Sequence, residues 1–165
     1  MRRTSSAVGL AVLFVALLLL NYSLRPLLAW RAGADFLLIG VILVSVRVRP
    51  GTAAIVGVLA GFVADALAPS AFGGAAIALA VVAFSASWLK ASFFAENVLL
   101  NGLFLLVGKL AFDMVYLVAE RRLAGLTLLA QLGTWSVLSA VVTALTGLAL
   151  LVLFRPLVDV EGERA

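Results

Sequence analysis

The sequence predicts an all-α integral membrane protein with about six transmembrane helices in a compact bundle. Three observations predict it. Of the 165 residues, 65% are hydrophobic and only 12% are charged, whereas a soluble domain is about 45–50% apolar and about 25% charged. The mean hydropathy is +1.23, which is more apolar surface than a domain of this size can hide in its own interior, so the excess faces lipid. The apolar residues also fall into runs of near-spanning length, separated by short clusters of charge, proline and glycine. The whole chain, 1–165, reads as a single polytopic membrane domain.

Taken in order, Ala7 to Leu24 is the first span. With Met1-Arg2-Arg3 before it, the run has the charged start and apolar middle of a signal peptide. Its 18 residues exceed a usual signal core, however, and Asn21 to Pro26 offers no small-x-small cleavage site, so it is read as a helix that stays. The second run, 34–46, is bracketed by Arg31 and Asp35 on one side and by Arg47, Arg49 and Pro50 on the other, which leaves 13 residues. Crossing about 30 Å of hydrocarbon takes about 20 residues, so this is either a short, snorkelling span or a re-entrant element. After a Pro50-Gly51 turn, 52–68 forms span three, stopped by Pro69, and the alanine-rich run 71–89 forms span four, stopped at Lys90.

Glu96-Asn97 opens span five, 98–118, and Glu120-Arg121-Arg122 closes it. Leu123 to Leu132 reads as an interfacial helix or a bent start to the last span, because Gly125, Thr127 and Gln131 interrupt its apolar face. Span six covers 134–154, and a short charged tail, Arg155 to Ala165, follows. Trp30, Trp88 and Trp135 fall near span ends, where indoles prefer the interface. One set of alternate connectors holds seven basic residues, Arg2, Arg3, Arg47, Arg49, Lys90, Arg155 and Arg164. The other holds four, Arg25, Arg31, Arg121 and Arg122. By the positive-inside rule both termini are expected in the cytoplasm.

Composition also excludes functions. With no Cys and no His, the chain lacks thiol chemistry, disulfides and the two commonest zinc or copper ligands, so no metal and no cofactor is expected. The net charge of +4 sits in connectors rather than in a basic stripe with stacking aromatics, so nucleic acid is not an expected partner and membrane lipid is.

Four residues of span three, Ala53, Gly57, Gly61 and Asp65, recur every fourth position and share one helix face. Small residues there allow close helix approach, and a carboxylate ending the stripe points into the same contact or reaches the headgroups. If a partner helix docks on lipid-facing small residues, the Gly57/Gly61 face is the expected surface. Span six carries a second such stripe, Ser139, Thr143 and Gly147. In span five, Lys109 and Asp113 stand one helical turn apart, where opposite charges pair. Each alone would cost about 2.5–3.5 kcal/mol at the bilayer centre, so a partner or a wet cavity is required. At 1.5 Å per residue, Asp65 lies roughly 20 Å along span three, and Lys109 and Asp113 roughly 16 and 22 Å along span five. The three are therefore expected to form an intramembrane polar cluster in the outer half of the membrane, as an ion-pair clamp or as a polar cavity. Asn97, Asn101 and Gly108 extend a polar or small stripe along span five.

No catalytic residue is expected. Two aspartates bring an aspartyl protease to mind, where paired carboxylates share a proton. Neither stands in the Gly-x-Gly-Asp form of intramembrane aspartyl proteases, and Lys109 would hold Asp113 ionised. A rhomboid-type serine protease needs a histidine base, and Gly73-Gly74 is a turn rather than a phosphate loop because no Lys-Ser/Thr follows.

The stretch Ala34-Asp35-Phe36-Leu37-Leu38, then Arg49-Pro50-Gly51, then Val56 to Asp65 with its glycines, then Ser70-Ala71-Phe72-Gly73 resembles the bacterial rod-shape-determining protein MreD. In that family a Pro-Asp before a short apolar run, an Arg-Pro-Gly turn, a glycine-rich helix ending in Asp and a later glycine follow in this order. The resemblance covers about Asp35 to Gly73; Ala34 stands where the family has proline, which implies a less rigid start to the second span. It implies a non-enzymatic subunit of the cell-elongation machinery in the bacterial cytoplasmic membrane. Such a subunit binds MreC, acts directly or indirectly with MreB, RodA and a class B penicillin-binding protein, and supports cell shape and lateral peptidoglycan synthesis. The family is similar in fold to the S components of energy-coupling-factor vitamin transporters, which supplies the alternative: a vitamin-binding S component using a cavity near Asp65, Lys109 and Asp113, with Ala7 and Ala11 docking a transmembrane subunit. The small, apolar 65–75 turn argues against such a site.

Overall fold

A computed structural model describes residues 12, 14–21, 23, 34–67, 73–93, 98–120, 130 and 132–158, and over these the chain is helical apart from short caps and turns. The helices are α1 (14–21), α2 (Phe36–Ser45), α3 (Pro50–Leu67), α4 (Gly74–Phe93), α5 (Val98–Glu120) and α6 (Val137–Val158), the last entered through a π-helical turn, Leu132–Ser136. Three stretches, Pro50–Leu67, Leu100–Ala119 and Leu132–Leu153, are long and apolar enough to cross a membrane; Phe36–Ser45 and Gly74–Leu89 are shorter apolar helices. The molecule is a membrane protein built as a helical bundle.

Several boundaries differ from the sequence expectation. Pro50-Gly51 is not a turn preceding the third helix but its first two residues, with the Ala53 amide bonded to the Arg49 carbonyl. Proline is well placed there, since its missing N–H would have no intrahelical partner in the first turn. Helix α4 starts at Gly74 rather than Ala71 and passes Lys90 to end at Phe93, and α6 continues through Arg155 to Val158. Lysine and arginine have good helix propensity, so a basic residue after an apolar run does not by itself end the helix. The expectations for Ala7, Ala11, Arg25, Trp30, Arg31, Pro69, Asn97 and 123–129 lie outside the described residues.

Helix α2 explains the short apolar second run. Ten residues rise only about 15 Å, half the hydrocarbon thickness. Eight of them are buried, from Leu37 through Leu43 together with Ser45. A helix that is apolar all round belongs where protein surrounds it. Gly40 faces Phe14 and Leu17 of α1, Ile42 reaches Gly108 of α5, and Ile39 lies beside Gly147 of α6. α2 is thus the central strut of the bundle.

Helices α3 and α4 form an antiparallel hairpin. Gly57 faces the Leu79 carbonyl and Ala80, while Gly61, one turn on, faces Ala75 and Ala76. A Cβ at either glycine would collide with α4 backbone. Ala53 is fully buried on the same helix. This corrects the partner-surface expectation: the Gly57/Gly61 face is consumed inside the chain, and the lipid-facing side of α3 carries Ile55, Leu59, Phe62 and Leu67 instead. At the far end Gly73 adopts φ +98°, a conformation in which a Cβ is strained.

Gly61→Leu is expected to lower unfolding stability in detergent by at least the ~1–3 kcal/mol typical of overpacking, because backbone cannot yield as a side chain does. Leu59→Ala, on the exposed side of α3, should cost far less. Equal losses in a denaturant titration would contradict the packing described.

Candidate functional site

A helix that begins inside a bundle leaves its first amides without water, so the chain must supply acceptors. α2 is such a helix. Its N-cap, Asp35, accepts from the Leu38 amide through Oδ1 at 3.1 Å, and the Asp35 amide itself donates to Thr143 Oγ1 at 3.1 Å. The other carboxylate oxygen, Oδ2, takes the Lys109 ammonium of α5 at 3.1 Å. Lys109 Nζ also donates to Asp113 Oδ1, one turn further along α5, at 2.7 Å, and lies 4.9 Å from the centre of the Phe112 ring. Phe112 stacks on Tyr116, with ring centres 5.7 Å apart.

Asp35, Lys109 and Asp113 therefore form an ion triad with side-chain exposures of 18%, 8% and 14%. It joins three helices, since Thr143 belongs to α6. Asp113 stands seven residues before Glu120, the end of α5, so the triad lies about 10 Å inside that helix end. Two carboxylates share one ammonium; the excess negative charge meets the N-terminus of α2 through Asp35, while the ammonium also faces the Phe112 ring.

Asp65 stands apart. Its height along α3 predicts a place beside Lys109 and Asp113, but its carboxylate is turned to α4. Oδ2 accepts from the Gly73 amide at 2.9 Å and the Ala76 amide at 3.1 Å, and Oδ1 accepts from the Ala75 amide at 3.1 Å. At 2% exposure it is a buried cap supplied by the preceding helix, with both oxygens engaged by backbone and facing the positive end of the α4 dipole. Counting residues along each helix gives a height but no rotation. The rotation was already implied by the four-residue stripe, which carries Asp65 to the α4 side together with Gly57 and Gly61.

The remaining expected residues divide similarly. In α6, Thr143 is fully buried against the start of α2, Ser139 is buried, and Gly147 packs on Leu105 and Ile39. This second small stripe is internal as well. Gly108 lies under Ile42. Asn101 has a buried side-chain oxygen with no hydrogen-bond partner among the described residues. Asp35 is the functional residue that site reasoning missed, although an aspartate immediately before an apolar run is the usual sign of an N-cap.

Comparison with known proteins yields no matching family model, no matching curated protein and no matching solved structure.

Lys109→Met should cost more than Asp113→Asn, because it strands two carboxylates; breaking a buried pair typically costs about 3–5 kcal/mol. Adding Asp35→Asn and Asp113→Asn to Lys109→Met should recover much of that loss, and strictly additive losses would show that the three are not coupled. Asp65→Ala should accelerate hydrogen exchange at Gly73, Ala75 and Ala76 selectively. Uniform protection would refute the capping role.

Proposed function

We propose that the chain is a non-enzymatic membrane subunit of the bacterial cell-elongation machinery, a scaffold that binds a MreC-type partner in the cytoplasmic membrane and supports cell shape and lateral peptidoglycan synthesis. The observation that carries this reading is where the MreD-like residues fall. Asp35 caps α2, Pro50 opens α3, Gly57 and Gly61 admit α4, and Asp65 and Gly73 join α3 to α4. The residues that carry the resemblance are the helix junctions of the bundle, in the order in which the family has them.

The chemistry of the carboxylates supports a structural role. An aspartyl dyad requires two carboxyl groups that share a proton. Here Asp65 is held by three amides and Asp113 by Lys109. Both are spent on holding helices together. The same reading puts both termini in the cytoplasm, in keeping with the seven-to-four distribution of basic residues.

Gentle-detergent purification of the full chain from native membranes, followed by mass spectrometry, is expected to recover a single-span coiled-coil protein and cell-wall synthases. Recovery of paired ATPases with a transmembrane coupling subunit, or of a bound vitamin, would replace this reading with a transporter S component.

A further inference from the structure

We draw no further inference here: the strongest candidate, the apolar groove between α4 and α5 lined by Val81, Ser85, Leu103, Val107 and Gly108 among others, carries nothing because nothing in the structure shows what covers it.

Discussion

The structure depends on satisfying helix ends that do not reach water. α2 begins about 10 Å inside the end of α5, and its exposed amides must find acceptors within the protein. The carboxylate of Asp35 meets that need locally and creates another, because a buried negative charge requires a cation. Lys109 supplies it from α5, and Asp113 and Phe112 complete the coordination of the ammonium. Each group is explained by the one before it.

The α3–α4 junction solves the same problem without a cation. Asp65 gives its two oxygens to three amides of the α4 start, and close backbone contact at Gly57 and Gly61 holds the two helices at the distance those bonds need. Small residues and carboxylates therefore act jointly: glycine permits the approach, and aspartate fixes the register. In lipid, where apolar side chains gain little from leaving the solvent, dispersion at close contact and polar ties of this kind carry the specificity of association.

Much of this was legible in the residues. Excess apolar content fixed the class, and charge and proline located five of the helices to within a few residues. The Lys109 and Asp113 pairing followed from their one-turn spacing. Azimuth was harder to read. Asp65 and Lys109 lie at similar heights, and only the stripe shared with Gly57 and Gly61 turns Asp65 away from the triad. Asp35 was hidden for a related reason: as a bracket to a short apolar run it marked a boundary, and its pairing with Lys109 joins residues 74 positions apart, a distance no local pattern encodes. The π-helical turn at Leu132–Ser136 carries no sequence signal that distinguishes it from ordinary helix.

The 74-residue separation also bears on how the chain is made. α2 is too short to cross the bilayer alone and starts with an aspartate, so a translocon has little reason to release it into lipid as an independent segment. Its cation arrives only with α5, and Thr143, which receives the Asp35 amide, arrives later still with α6. The strut at the centre of the bundle is synthesised early and seated late. Biogenesis therefore ends near the middle of the fold, with the C-terminal helices closing around a segment that has waited for them.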